Sequence, residues 1–169
     1  MKLLLIAVAL IASTAIFGAN SNPDASFYKK AAEGGLAEVE LGNLAQKKSA
    51  DQSVKDFGAM MVKDHSAAND KLKALADSKS IKLPTKPSVG QMASKTKLEV
   101  LSGKTFDKSY IKGMIADHQK DIKEFKKEAD SGQDPDAKAY AAATLPTLEG
   151  HLTKIQSIAK DAGIKTGSD

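Results

Sequence analysis

Two stretches of the chain repeat one another without a gap, and this repeat limits the fold more than any other feature. Residues 57–76 read FGAMMVKDHSAANDKLKALA, and residues 110–129 read YIKGMIADHQKDIKEFKKEA. In register, Phe57 meets Tyr110, Met61 meets Met114, Val62 meets Ile115, Asp64 meets Asp117, His65 meets His118 and Leu72 meets Phe125. Apolar residues recur at three- and four-residue steps in both copies, the signature of an amphipathic helix. Two helices with the same surface, separated by a long connection, can run parallel. A short hairpin between them would force them antiparallel.

The rest of the chain fits two more helices around this pair. Asn22-Pro23-Asp24 is a helix start, with an Asn cap, Pro in the first turn and an acid at the positive end of the dipole. The pattern that follows predicts a first helix to about Lys48. Ser53 with Asp56 resembles a capping box, and a second helix is expected from Val54 to Ser78. Residues 80–103 carry Pro84, Pro87, Gly90 and Gly103 and read as a long connection, with a short helical piece around Met92 to Leu101. A third helix is expected from Thr105 to a stop at Ser131-Gly132. The fourth begins at Asp134-Pro135-Asp136 and ends at Ala162-Gly163. Pro146 inside it is expected to bend the helix around the core. No segment shows strand alternation. Each helix has about 25 residues, or roughly 37 Å. The expected fold is therefore all-α: a ferritin-like four-helix bundle with a long crossover between helices two and three.

The first residues are of another kind. Met1-Lys2 is followed by an apolar run from Leu3 to Phe17 and then by small and polar residues, the layout of a secretory signal peptide. An uncleaved anchor is the competing reading, since a membrane span needs at least roughly 17 apolar residues. The expected division is a signal peptide over 1–21 and a bundle over 22–169. No integral membrane span is expected after signal removal, and an exported product of the periplasm or cell envelope follows.

Helical geometry then places the polar residues. At about 100° per residue, Phe57, Met61, Asp64, Ala68, Leu72 and Leu75 form the inward stripe of helix two, with His65 at its edge. In helix three the stripe is Tyr110, Met114, Asp117, Asp121, Phe125 and Glu128, with His118 at its edge. His151 is central in helix four, between Thr147 and Ile155, and Glu38 is central in helix one. All three histidines of the chain therefore lie on or beside inward faces. A carboxylate buried without a partner must pair, protonate or bind a cation. Glu38, Asp64, His65, Asp117, His118, Asp121 and His151 together offer the oxygen and nitrogen ligands of Fe, Mn, Zn or Cu. The structural alternative is that the Asp-His pairs only hydrogen-bond neighbouring helices or pair with lysines. Gly34-Gly35 and Gly42 are expected at close helix contacts. The methionines read as core fillers, although Met four residues before His occurs twice, which keeps Cu among the candidates.

Composition removes several chemistries. Without Cys there is no disulfide framework, zinc-thiolate site, iron–sulfur cluster or thiol nucleophile. All 25 basic residues are Lys, balanced by 21 acids and spread along the helices without a basic block, so no nucleic-acid partner is expected. No phosphate-binding loop or Gly-x-Ser-x-Gly elbow is present. The Glu-x-x-His of standard di-iron sites is missing too, which argues against oxygen activation and against an enzyme.

The stretches AAEGGLAEVELGNLA (31–45), MVKDHSAANDKLKALA (61–76), MIADHQKDIKEFKKEA (114–129) and LPTLEGHL (145–152) resemble the bacterial family called domain of unknown function 4142. The resemblance implies a fold like the ferritin-like superfamily and an exported protein. It implies no activity and no functional residues. Two functions stand foremost from the residues, with a redox enzyme using the same metal a third that the missing Glu-x-x-His disfavours. One is an exported bundle that binds a transition-metal ion, for metal handling or stress protection. The other is a non-catalytic helical module of the cell envelope. A homo-oligomer or an envelope partner is compatible with either.

Overall fold

The computed structural model describes residues 22–166, so the expected signal peptide lies outside the described residues. Five helices follow in order: α1 (Ala25–Lys48), α2 (Gln52–Ser78), α3 (Val89–Glu99), α4 (Gly103–Ser131) and α5 (Pro135–Asp161). No strand occurs among the described residues. The four long helices are the bundle expected from the sequence, and the crossover between the repeated helices carries α3. Pairing is closest within the hairpins α1–α2 and α4–α5.

Local chemistry explains the helix ends. Asp51, rather than Ser53, caps α2 by accepting from the Ser53 amide, and Asp134 caps α5 by accepting from the Asp136 amide. Ser88 and Gln91 form a capping box that starts α3 a turn earlier than the sequence pattern suggests. Helix α5 continues through Pro146, which lies at an exposed position.

The repeat is visible in space. Phe57 and Tyr110 meet edge-to-face with centroids 6.4 Å apart, and His65 and His118 meet at 5.9 Å. Equivalent residues of α2 and α4 thus face each other at successive levels, which requires the two helices to run parallel. The α1–α2 hairpin is drawn tight by glycine. A Cβ on Gly42 would lie 2.5 Å from the Gly58 carbonyl oxygen, and one on Gly58 would lie 2.7 Å from that of Gly42. Only hydrogen side chains permit that backbone approach. Gly34, by contrast, has room for a Cβ, so its expected close helix contact is not made.

The core divides into two apolar clusters. One holds Leu41, Phe57, Met61, Phe106, Tyr110, Met114 and Ile155. The other holds Phe27, Tyr28, Leu72, Ile122, Phe125 and Leu148. Between them, along every long helix, comes one polar level: Glu38 on α1, His65 on α2, His118 on α4 and His151 on α5. All four are buried.

Candidate metal centre

The three histidines converge at this polar level. Each offers one ring nitrogen such that the three atoms lie within 4.8 Å of one another. The ring centroids are 5.4 to 5.9 Å apart. Phe57 closes the cluster on one side, 6.3 Å from the His118 ring and 6.4 Å from that of His151. Residual exposures are 7%, 1% and 3% for His65, His118 and His151.

Hydrogen bonds select the tautomers. The Nδ1 of His118 lies 2.9 Å from the Met114 carbonyl oxygen, which can only accept, so the proton is assigned to Nδ1. The Nε2 of His151 lies 3.0 Å from the Asp64 carboxylate, which assigns its proton to Nε2. The two remaining lone pairs, on His118 Nε2 and His151 Nδ1, then face each other at 3.4 Å. Two acceptors at that distance repel unless a cation lies between them. The third ring is no better satisfied, since the buried Nε2 of His65 has no hydrogen-bond partner.

Burial also keeps the rings neutral. Desolvation pushes His65 down to about 3, aided by the two neighbouring histidines. It pushes His118 to about 4, against the Met114 hydrogen bond. His151 is lowered for the same reason, with Asp64 opposing. Neutral imidazole is the form that binds metal, and a carboxylate or carbonyl behind the outer nitrogen orients the ring and raises its basicity. Asp64 and the Met114 carbonyl occupy those outer positions.

The carboxylates expected beside the histidines distribute by depth. Glu38 is buried, with Oε1 3.9 Å from His118 Nδ1 and Oε2 unpartnered. Burial, then Asp117 and Asp121, push its carboxyl well above the usual range. Asp64 is half-buried and acts behind His151. Asp121 is half-buried, and desolvation raises it to about 6. Asp117 is exposed. The inward stripes drawn from the sequence thus need a correction. The stripes placed Asp64 and Asp117 inside with the histidines at the edge, and the fold rotates α2 and α4 so that His65 and His118 point in. Burying the imidazole costs less than burying the carboxylate.

Glu38, Asp117 and Asp121 nevertheless share a space. They line a cavity of about 390 Å³ that also reaches His65. Asn69 and Gln91 line it too, and neither stood out in the sequence. The available signal for Asn69 was the repeat, because Asn69 occupies the position of Ile122 and breaks the apolar pattern on the same face.

Solved structures share this architecture. A DUF305 protein of Streptomyces coelicolor, described as a candidate secreted protein, superposes with a TM-score of 0.73 at 16% identity, covering 88% of this chain and 98% of that one. A DUF305 fragment from Deinococcus radiodurans gives 0.71 at 14%, covering 82% and 96%. CopM in its Cu(II)-bound form gives 0.66 at 14%, covering 82% and 96%. Identities this low carry the fold alone. No curated protein matches the sequence. The family model described as Domain of unknown function (DUF4142) matches residues 11–158, most of the chain, and the chain belongs to that family.

Proposed function

We propose that this protein binds one divalent transition-metal ion, Cu(II) or Zn(II) foremost, through His65, His118 and His151, and serves in metal handling outside the cytoplasm. The observation that carries this reading is the opposed pair of lone pairs on His118 Nε2 and His151 Nδ1, 3.4 Å apart. Two imidazole nitrogens bound at about 2.05 Å to a tetrahedral ion lie about 3.3 Å from each other. The spacing therefore suits a shared ion. His65 completes a three-nitrogen set by closing by up to about 1.5 Å, from within 4.8 Å to about 3.3 Å. Neutral imidazoles favour Cu, Zn, Fe and Ni over harder cations, and affinity peaks at Cu(II). The structural neighbour solved with Cu(II) bound is consistent with copper. Export rests on the layout of residues 1–21 and on a fold shared with a candidate secreted protein. Among the described residues, no helix is long and apolar enough to cross a membrane.

The second reading is a structural envelope module in which these residues only fix helix register. The Asp64–His151 and Met114–His118 hydrogen bonds favour it, since both would serve without metal. Elemental analysis of tag-free protein separates the two. The metal reading expects one ion per chain after loading with Cu(II) or Zn(II), imidazole nitrogens in the X-ray absorption spectrum, and loss of binding in His65→Ala and His118→Ala. Absence of stoichiometric metal, with an unchanged melting temperature on adding Fe, Mn, Zn or Cu, overturns it.

A further inference from the structure

The cavity above the histidines has a composition that the metal centre alone does not explain. Its lining carboxylates are Glu33, Glu38, Asp117, Asp121 and Glu124, and its lysines are Lys30 and Lys120. Five acids against two lysines leave a formal charge of −3 with every acid ionised, and of −2 with the buried Glu38 protonated, in a chain whose net charge is +4. Lys30 is already bonded to Glu124 at 2.9 Å. Three of the acids descend in order of burial: Asp117 exposed, Asp121 half-buried, Glu38 at 3%. The deepest of them, Glu38, has one oxygen near His118 and the other without any hydrogen-bond partner. The cavity is also lined by His65, whose Nε2 is the unpartnered ring nitrogen. Two residues that each carry an unsatisfied buried polar atom, Glu38 and His65, thus line one acid-rich cavity.

We propose that this cavity is the entry path for a hydrated divalent cation, with Asp117 and Asp121 collecting the ion and Glu38 passing it to the histidines. The proposal rests on the metal reading above and assigns that site its route of loading. A cleft lined by one sign of charge with low-dielectric walls concentrates counter-ions and raises association rates by about 10 to 10³. The carboxylates exchange for water ligands as the ion descends, so that dehydration is spread over several steps. Asp121 lies beside α1: a Cβ added to Gly34 would lie 3.6 Å from its Oδ2, an ordinary contact. A Cβ at Gly34 therefore enters the cavity beside Asp121 and Gln91 without forcing the backbone, and the rest of a larger side chain would narrow it.

Stopped-flow uptake of Zn(II) by metal-free protein, followed with a zinc indicator, tests the route in two variants. In Asp117→Asn/Asp121→Asn, uptake is expected to slow about tenfold at low ionic strength. The deficit should shrink in 0.5 M salt, where charges are screened over only a few ångströms. In Gly34→Leu, uptake and chelator-driven release should both slow, with the dissociation constant unchanged. Wild-type rates in both variants, while one zinc ion still binds per chain, overturn the route and leave the metal centre standing. If Gly34→Leu fails to fold, the carboxylate pair decides alone. Failure of the wild-type protein to bind zinc or copper at all overturns the metal reading, and the route with it.

Discussion

Replacing His65 with Leu separates a metal ligand from a structural histidine without requiring any metal. His65 is 7% exposed, and its buried Nε2 has no partner. A buried polar atom left unsatisfied costs about 1–3 kcal/mol, and an apolar side chain of similar size removes that cost. Leucine is close to histidine in size, and position 65 lies between the two apolar clusters that hold Met61 and Leu72. Allowing for imperfect packing of the new side chain, metal-free His65→Leu should gain about 1–2 kcal/mol. For a domain of this size each kcal/mol moves the melting temperature by about 2–4 °C, so the expected rise is about 2–8 °C. The comparison is made on chelator-treated wild type and variant at pH 7, by thermal and urea unfolding. Metal loading should then raise the melting temperature of the wild type and leave the variant where it was, because an ion bound to the native state stabilises by mass action. A structural His65 gives the opposite result. Loss of more than about 1 kcal/mol in the metal-free variant would mean that the ring contributes contacts or hydrogen bonds to the fold, and the reasoning from its unpartnered nitrogen would fail.

Four further outcomes are expected. Asp64→Ala removes the acceptor behind His151 and should weaken metal binding about tenfold, the lower end for loss of a ligand's outer partner, because Asp64 is half-exposed to water; competition with a chromophoric chelator measures it, and unchanged affinity would refute the tautomer assigned to His151. The histidine contribution to metal-free stability should fall as pH drops from about 6.5 through 4, because His65 and His118 titrate at about 3 and 4 when folded and near 6.5 when unfolded, while Glu38, Asp121 and Glu128, raised when folded, act in the opposite direction over the same window. Urea midpoints of wild type and His65→Leu at several pH values check this, and the advantage of His65→Leu should grow as pH drops. Asp134 accepts from Tyr28, Asn22 and the Asp136 amide and pairs with Lys79, which together hold its carboxyl low against the opposing desolvation, so its contribution should persist above the ordinary carboxylate range and disappear only below it; an acid transition in Asp134→Asn that matches the wild type would refute this. Gly42→Ala should cost about 2–4 kcal/mol, a core-overpacking penalty raised by backbone on the far side, whereas Gly150→Ala, which meets nothing, should be neutral or stabilising.

Much of the fold is legible in the sequence. The four long helices appear within a few residues of the places marked by their apolar spacing, their Pro and Asp starts and their Gly stops. The parallel relation of α2 and α4 follows from the repeat and the long crossover between its copies. The helix ends were less clear where two polar residues competed, as at Asp51 and Ser53, because either can cap and only local backbone geometry selects one. The site was legible as an inventory. All seven residues singled out lie at or around one level of the bundle: three as converging histidines, one behind His151, and three lining the adjoining cavity.

Their division of labour was not legible, and the reason is geometric. Adjacent Asp and His differ by about 100° around a helix, while rotation drawn from periodicity is uncertain by tens of degrees. Either member of each pair could therefore have faced the axis. Packing the Phe57, Met61 and Leu72 stripe against its copy on α4 sets that rotation, and the cost of burying a carboxylate sends Asp64 and Asp117 outward. Sequence spacing thus dictates which residues share a helix face. The opposed lone pairs of His118 and His151, the unpartnered nitrogen of His65 and the acid-lined cavity above them depend on four helices meeting at one level. Local pattern carries no information about distances between helices, because those are the joint outcome of every contact in the core.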